Sequence, residues 1–304
     1  MAGRGRLLRA GAAMVVGTAG GLVTAGPALG ATRVVASFPT AGPAIGSAVA
    51  ADAAVIRKRL HALGVIGDRI SIRGQEIDVS GQKRLPVAAS ELAATGNFYV
   101  RPVRCSAPAY VGPSDNGAST VPDDCPAPYQ MVPTNPNFQP ISPNYNLEPD
   151  PELAADSSTP PASDLPGSTV LLESLGVGAT RLTQTDDNLR YLLGPATLTG
   201  RAIKGAAVTP TPTQGAVLTI TSTRSGARTW NLIARRSFHE LLGMDLDGVV
   251  VTAPIIEPAE ATFSPFGSGM QLSGLSRPMI RTVAALLDSG ALLAPLVGRQ
   301  PPPA

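Results

Sequence analysis

Histidine, cysteine, lysine and aromatic residues are all scarce in this chain of 304 residues, which has two His, two Cys and three Lys and is 4% aromatic. The formal net charge is only +2, which excludes a surface basic enough to bind nucleic acid through many phosphate contacts. Two Cys and two distant His are too few ligands for a structural metal site. Long apolar runs are missing after residue 31, and a multi-span transporter is therefore excluded.

The N-terminal segment has the pattern of an export signal. Three arginines among the first nine residues precede an uncharged stretch at 10–29, and small residues at Ala28 and Gly30 fit a cleavage site. We therefore expect residues 1–30 to be a signal peptide, cleaved after Gly30. The alternative is an uncleaved N-terminal anchor, because about 20 uncharged residues can cross a bilayer. Both alternatives place the rest of the chain outside the cytoplasm, in the cell envelope or secreted.

Export also predicts a disulfide between the two cysteines, Cys105 and Cys125. An oxidising compartment usually converts such a pair into a disulfide. Closing the loop between them would stabilise the fold by about 3 kcal/mol in the chain-entropy model. The alternative is a pair of free thiols.

Proline divides the remaining chain into two predicted domains. Fourteen of the 30 prolines fall at 108–166, a stretch that is also rich in Asn, Ser and Asp. Such a composition buries too little apolar surface to offset its conformational entropy. We therefore predict an extended or disordered linker at 105–166, between domains at 31–104 and 167–298, and a disordered tail at 299–304.

The first predicted domain combines helix and strand signals, which indicates an α+β fold. Apolar residues at helical spacing predict a helix over 52–63, with Gly64 as its C-cap. Alternating residues on either side of Gly74 predict two short strands joined by a turn. A further strand is predicted at 97–103.

The second predicted domain shows the same mixture. A strand is predicted at 217–221, followed by a helix whose N-cap is Ser225. Pro254 places the end of a later strand at an edge or a bulge, because proline cannot donate to a sheet ladder. A last helix is predicted from Ser276 to Gly290.

Three segments of the second domain resemble the head of the first extracytoplasmic domain of SecD, an accessory subunit of bacterial protein export. They are LLGPATLTGRAIKGA from Leu192, LDGVVVTAPII from Leu246 and LDSGALLAPL from Leu287. In the first domain, IRKRLHALGV from Ile56 and YVRPV from Tyr99 resemble the base region of the same family. The resemblance implies a small SecD base-like domain at 31–104 and a SecD head-like domain at 167–298.

The resemblance implies the SecD fold and a polypeptide-handling environment, but no proton-driven work. In SecD the Ser-Gly-Ala-Leu string leads into a set of membrane helices, whereas this sequence stops at Ala304. The charged membrane residues implicated in the family's proton coupling have no counterpart. A domain without ionisable residues in a membrane span cannot use the proton gradient by itself. We expect membrane contact only through the N-terminal segment.

Motifs that could indicate an enzyme have simpler interpretations. SGQK at 80–83 matches the SxxK of penicillin-recognising enzymes, but their SDN and KTG motifs are missing. Neither His61 nor His239 has a nucleophile at a spacing that suggests a triad. Asp245 and Asp247 lack the remaining positions of an EF-hand calcium loop. We therefore predict no enzymatic activity, no catalytic residue, and no bound metal or cofactor.

Two surfaces of the head-like domain are candidates for polypeptide binding, a role that strand edges and apolar patches can serve. One is the hairpin at Asp247 and Gly248, because an Asp-Gly pair between apolar runs is typical of a type I′ turn. The other is the stretch ATFSPFGSGMQL, in which Phe263, Phe266 and Met270 are adaptable apolar side chains among flexible glycines. The alternative for this stretch is that its side chains fill the core beneath a loop.

Two functions agree with these features. The first is a non-enzymatic exported or membrane-anchored protein that assists translocation or handles extracytoplasmic polypeptide. Its partners would be the protein-export channel and its accessory subunits, or unfolded exported polypeptide. The alternative is a cell-envelope binding protein that has reused the fold for another protein or ligand. A retained anchor favours the first function, and secretion into the medium favours the second.

Overall fold

The structure is a computed structural model, and it describes residues 33–81, 85, 87–111, 125, 150–175, 189–212, 215–257, 260–273 and 275–300. Among these residues the α-helices are α1 (Gly46–Ala62), α2 (Ala89–Leu92), α3 (Arg224–Arg236) and α4 (Arg277–Ser289). The strands are β1 (Arg33–Pro39), β2 (Arg69–Arg73), β3 (Glu76–Gly81), β4 (Phe98–Ala107), β5 (Val170–Ser174), β6 (Arg190–Leu193), β7 (Leu198–Thr199), β8 (Ile203–Thr211), β9 (Gly215–Ser222), β10 (Leu242–Leu246), β11 (Val249–Thr252) and β12 (Gly269–Leu272). This mixture confirms the α+β class. The predicted signal segment at 1–30 lies outside the described residues.

The N-terminal layer consists of β1, β2, β3, α1 and α2. Its strands form an antiparallel sheet in the order β1-β3-β2, and Gly74 closes the predicted turn with a φ of 61°. The helix α1 begins at Gly46 rather than at the predicted residue 52. The earlier residues are mostly Ala and Ser, which are compatible with a helix, and Val49 anchors this first turn in the core.

The C-terminal stretch 292–299 returns to this layer and runs antiparallel beside β1. Leu296 joins the core of the N-terminal layer. The buried Asp52 carboxylate accepts hydrogen bonds from the backbone N–H groups of Leu293 and Ala294, at 2.7 and 3.0 Å. Residues from the two ends of the described chain therefore stabilise one layer.

The strands β4, β5, β6, β10 and β11 close into a ring that we call the barrel. The ring closes because β10 pairs with both β11 and β4, and β4 pairs with β6. The β11–β5 pair is parallel, whereas the other pairs of the ring are antiparallel. The predicted domain boundary at residue 104 falls within β4, which pairs with β10 through its first half and with β6 through its second half.

The ends of the predicted linker at 105–166 are ordered. Residues 105–107 belong to β4, and two short 3-10 helices form at Pro151–Ala155 and Pro161–Ser163. Proline suits the start of each of these turns because its ring fixes φ near the helical value. Leu153 is fully buried against the barrel, which a composition averaged over the stretch does not reveal. The middle of the predicted linker, apart from residue 125, lies outside the described residues.

Cys105 and Cys125 form the predicted disulfide, with their Cα atoms 6.2 Å apart. Cys105 lies in β4 and is buried, and Cys125 packs against the same cluster of apolar side chains. The bond therefore attaches residue 125 to the barrel.

The C-terminal layer consists of β8, β9 and β12, which form an antiparallel sheet in the order β12-β9-β8, together with α3 and α4. The helix α4 begins after Ser276 and ends at Gly290, as predicted. The predicted N-cap of α3, Ser225, is wrong: Thr223 holds that position, and its hydroxyl accepts a hydrogen bond from the N–H of Gly226 at 3.0 Å. None of the described helices combines the length and the apolar character that a membrane span requires.

Candidate functional site

The helix α3 has one face in the core and one face toward solvent. Trp230 and Ala234 are buried against the sheet of the C-terminal layer. The opposite face carries Arg228, Leu232 and Arg235, all of which are exposed. Leu232 is 61% exposed, which is a large apolar surface for one side chain of a folded domain.

The loop at 260–268 lies beside α3 and is held by one hydrogen bond to this helix and by two to neighbouring residues. The Asn231 amide nitrogen donates a hydrogen bond to the carbonyl oxygen of Phe266 at 2.9 Å. The Glu257 carboxylate accepts from the N–H of Ser264 at 2.9 Å. His239 Nε2 lies 2.8 Å from the carbonyl oxygen of Glu260, a pairing contact rather than a catalytic arrangement. These bonds fix the position of the loop, and a groove is lined by residues of the loop and of α3.

We call this space the α3 groove, and its volume is about 940 Å³. Its walls come from α3, from the loop at 260–268 and from the adjoining ends of β8 and β9. It is lined by Lys204, Thr221, Ser222, Arg224, Ala227, Arg228, Asn231, Leu232, Arg235, Phe263, Pro265, Phe266, Gly267 and Ser268. Its size lies near the upper end of the range for ligand-binding pockets.

The two phenylalanines that line the α3 groove belong to an aromatic cluster with the buried Trp230. The ring centroids of Trp230 and Phe266 are 5.9 Å apart, and those of Phe263 and Phe266 are 6.1 Å apart. These distances are typical of favourable tilted and edge-to-face aromatic pairs. The guanidinium of Arg235 lies 5.7 Å from the Phe263 ring centroid, within the range of a cation–π contact.

The structure brings two of the predicted binding residues together in this groove. Phe263 and Phe266 are half-buried and line it. Met270 does not join them, because it lies in β12 and is only 7% exposed, with its side chain in the core. Met270 therefore fills the core, whereas the two phenylalanines pack partly against the core and partly line the groove. Their role in polypeptide binding stays a prediction.

The hairpin at Asp247 and Gly248 forms as predicted, with φ of 53° and 81° at the two turn residues. The Asp247 carboxylate accepts hydrogen bonds from the backbone N–H groups of Gly96 and Asn97, both at 2.8 Å. Burial raises the pKa of Asp247 despite these bonds and the positive charge of Arg59. The turn is therefore a packing contact inside the fold.

The strands of this hairpin also lack the free edge that the prediction assumed. β10 lies between β11 and β4, and β11 lies between β10 and β5. Pro254 follows β11, whose register with β10 shifts between Met244 and Asp245 as at a β-bulge, and the Pro254 carbonyl oxygen accepts from the N–H of Leu242 at 3.1 Å. An extended polypeptide could add to this hairpin only after the barrel opened.

The positive charge of the groove was not predicted from the sequence. Arg224 and Arg228 are one helical turn apart, and Arg235 follows two turns later, so the three follow one side of α3. Lys204 faces them from the end of β8. Of the described residues that line the groove, none is acidic. A net charge near zero conceals this local clustering, which the arginine spacing in α3 could have indicated.

A second cluster of charges lies inside the fold. Arg101 donates hydrogen bonds to Asp245 at 2.9 Å and to Asp164 at 2.8 Å, and all three side chains are at most 2% exposed. Burial, and next the charge of Asp164, raise the pKa of Asp245 to about 8, against the opposing effect of Arg101. A lone arginine within the apolar strand YVRPV could have indicated this cluster, since a buried charge requires a partner. The closed surroundings make it a structural feature.

The remaining motifs assemble no chemical site. His61 is exposed on α1, and Lys83 of the SxxK match lies outside the described residues. Among the described residues, no three His, Cys, Asp or Glu side chains come close enough to hold a metal ion. Within that part of the chain, the α3 groove is the cavity that best fits a binding function.

Comparison with known proteins points to one family. Residues 179–294 match the family model of the SecDF P1 head subdomain, a range that includes most of the C-terminal layer and the whole loop of the groove. No curated protein sequence matches the chain significantly.

Three solved structures that are similar to the chain are SecDF structures. A structure of a membrane component SecDF that enhances protein export is 18% identical with a TM-score of 0.49, over 90% of this chain and 100% of that one. SecDF in its super-membrane-facing form is 19% identical with a TM-score of 0.51, over 90% of this chain and 30% of that one. A translocon-associated SecDF from Thermus thermophilus is 19% identical with a TM-score of 0.34, over 90% of this chain and 31% of that one.

This chain thus spans less than a third of the length of the last two proteins. The likeness to the super-membrane-facing form supports a shared fold, and the family match identifies its head portion. The resemblance predicted from the sequence is therefore confirmed: the chain is similar to a SecD-like extracytoplasmic domain, and its residues 179–294 are similar to the SecDF P1 head subdomain.

Proposed function

We propose that the chain is a non-enzymatic, extracytoplasmic SecD-like domain that assists protein export by holding extended polypeptide in the α3 groove. The observation that supports this proposal is the position of the groove. Its loop, with Phe263 and Phe266, and its helix α3 lie within the range that matches the SecDF P1 head subdomain. Similarity to the SecDF P1 head subdomain supports an association of this part of the chain with protein export.

The groove has the physical properties of a weak and adaptable polypeptide site. Leu232 is exposed beside Phe263 and Phe266, which are half-buried. Covering one such side chain contributes about 1.5–3 kcal/mol, and part of this is lost in ordering the bound segment. The resulting affinity is low for a single segment, which suits a protein that must release a moving chain.

Export from the cytoplasm is part of the proposal. The disulfide between Cys105 and Cys125 supports it, because such bonds persist in oxidising compartments. The N-terminal segment would direct the chain to the envelope, either as a cleaved signal or as a retained anchor. The proposed role needs only the extracytoplasmic domain.

Site-specific photocrosslinking in intact cells tests this function. A photoreactive amino acid is placed at Leu232 in the groove, and in a matched control at Ile66, which is 83% exposed on the N-terminal layer. We expect exported polypeptide, together with the export channel or its accessory subunits, to crosslink at Leu232 and not at Ile66. Crosslinks at Leu232 to unrelated envelope proteins alone would favour the alternative, a binding protein that has reused the fold. Identical products at both positions would contradict a role of the groove.

A further inference from the structure

The α3 groove carries positive charge that no acidic side chain of the described residues neutralises through an ion pair. Lys204, Arg224, Arg228 and Arg235 surround it. Within the described part of the chain, the ion pairs involve only Arg73 and Arg101 as cations, so these four have no salt-bridge partner there. Like charges at the mouth of one cavity repel each other, and a bound anion would relieve that repulsion.

The spacing of the exposed side chains on α3 is close to that of alternate side chains in an extended polypeptide. Arg228, Leu232 and Arg235 succeed one another along one side of the helix, at separations of one turn. Each turn advances about 5.4 Å. In an extended chain, every second side chain points to the same side, and successive ones are about 6.6 Å apart. Arg228, Leu232 and Arg235 can therefore each contact one of three alternate side chains of a bound extended segment.

We infer that the α3 groove selects extended polypeptide segments in which acidic residues flank an apolar residue, in the pattern acidic-x-apolar-x-acidic. The acidic side chains would pair with Arg228 and Arg235, and the apolar side chain would contact Leu232 and the ring of Phe266. This inference rests on the proposed function, because it states which polypeptides the groove prefers. Charge complementarity makes the groove prefer acidic peptides. The apolar contact contributes equally to the affinity of every peptide that has the apolar residue.

Peptide binding to the full chain tests the inference, with fluorescence anisotropy as the measurement. The labelled peptides share one scaffold around the core Glu-Ser-Phe-Ser-Glu, and matched peptides replace both Glu by Gln, both Glu by Lys, or Phe by Ser. We expect the acidic peptide to bind about tenfold more tightly than the Gln peptide, with the difference shrinking as salt is added. The Lys peptide and the peptide without Phe should bind more weakly than the acidic one.

Variants of the groove arginines test whether the preference for the acidic peptide arises in the α3 groove. Arg228→Gln combined with Arg235→Gln should abolish the preference for Glu over Gln and retain the dependence on Phe. Arg228→Glu should lower the affinity for the acidic peptide and raise the affinity for the Lys peptide. The control, Arg57→Gln with Lys58→Gln, removes two exposed cations from α1 and should leave the preference unchanged.

The outcomes separate this inference from the proposed function. Equal affinity for the acidic and Gln peptides would overturn the acidic preference while leaving polypeptide binding intact. Absence of binding to all four peptides, with capture of anionic phospholipid vesicles instead, would overturn both. An acidic preference that survives both groove variants would place the charge recognition elsewhere and overturn the inference.

Discussion

Arg101, Asp164 and Asp245 enclose one cation with two carboxylates, so the cluster carries one more acid than base. Asp164 Oδ2 and Asp245 Oδ1 are both buried, and no hydrogen-bond donor reaches them from the described residues. A single proton shared by the two carboxyl groups would satisfy both oxygens and remove the excess charge. Burial raises the pKa of Asp245 to about 8, which agrees with a proton held there at neutral pH.

The stability of the fold should therefore fall as the pH rises from about 5 to about 8. The folded pKa of Asp245, about 8, lies above the unfolded value of about 3.9. Between these values the folded state holds a proton that the unfolded state has lost. This contribution to the free energy of unfolding is fully present below pH 4 and is lost as the pH approaches 8. Urea denaturation at several pH values measures it.

Asp245→Asn separates this effect from other titrations. Asparagine reproduces the protonated carboxyl group, because it accepts from Arg101 and can donate to Asp164. We expect the variant to lose less stability than the wild type between pH 5 and pH 8, by at least about 1.4 kcal/mol, which corresponds to one pKa unit. Glu152→Gln, at an exposed position, is the control and should behave like the wild type. Parallel pH profiles for the wild type and Asp245→Asn would contradict a protonated Asp245.

At the scale of elements, local chemistry predicted the turns and the helix ends well. The Asp247-Gly248 pair, the turn at Gly74 and the end of α4 at Gly290 all depend on a few neighbouring residues and a positive φ. The start of α3 was placed two residues late because Thr223 and Ser225 are both good N-caps. Only the geometry shows which hydroxyl reaches an N–H at the right distance.

Gly248 should be the least replaceable residue of the hairpin. Its φ is 81°, and a Cβ atom there would lie 3.1–3.3 Å from three atoms of Pro161. We expect Gly248→Ala to lower the free energy of unfolding by about 2 kcal/mol, through backbone strain and this contact. Gly46→Ala is the control, because Gly46 opens α1 with no heavy atom within 4 Å. That change should be neutral or stabilise by about 0.5 kcal/mol; thermal unfolding of both variants checks the difference, and equal losses would refute it.

At the scale of the whole molecule, the sequence predicted the class of fold but not its closure. The amino-acid sequence of β4 does not indicate that its first half pairs with β10 and its second half with β6. The partners Arg101 and Asp245 are separated by 144 positions, and a single sequence carries no signal for such a pairing. The groove could not be predicted for the same reason. Its phenylalanines were identified in the sequence, but the arginines that line it with them lie in another element, α3.

Arg59 joins parts of the molecule that the sequence predicted as separate domains. It is fully buried in α1 and donates to the Ser289 hydroxyl at 3.0 Å and to the carbonyl oxygens of Leu92 and Gly290 at 2.6 and 3.1 Å. It also bonds the carbonyl oxygen of Ala94. Burial lowers the pKa of Arg59 to about 10, so the side chain stays charged at neutral pH. One guanidinium thereby ties α1 to the end of α4 and to the chain between α2 and β4.

Replacing Arg59 should uncouple the N-terminal layer from the rest of the fold. In Arg59→Met the carbonyl oxygens stay buried without donors, which costs about 3 kcal/mol. Arg59→Lys should recover only part of this, because lysine has fewer donors and no planar fork. We expect hydrogen exchange to accelerate in α1 and at 290–296 more than in the barrel, and urea unfolding to separate into two transitions. Arg57→Met, exposed on the same helix, should change stability by less than about 0.5 kcal/mol. A single transition with uniform exchange in Arg59→Met would mean that the apolar contacts between α1 and the C-terminal stretch hold the layers together without the guanidinium.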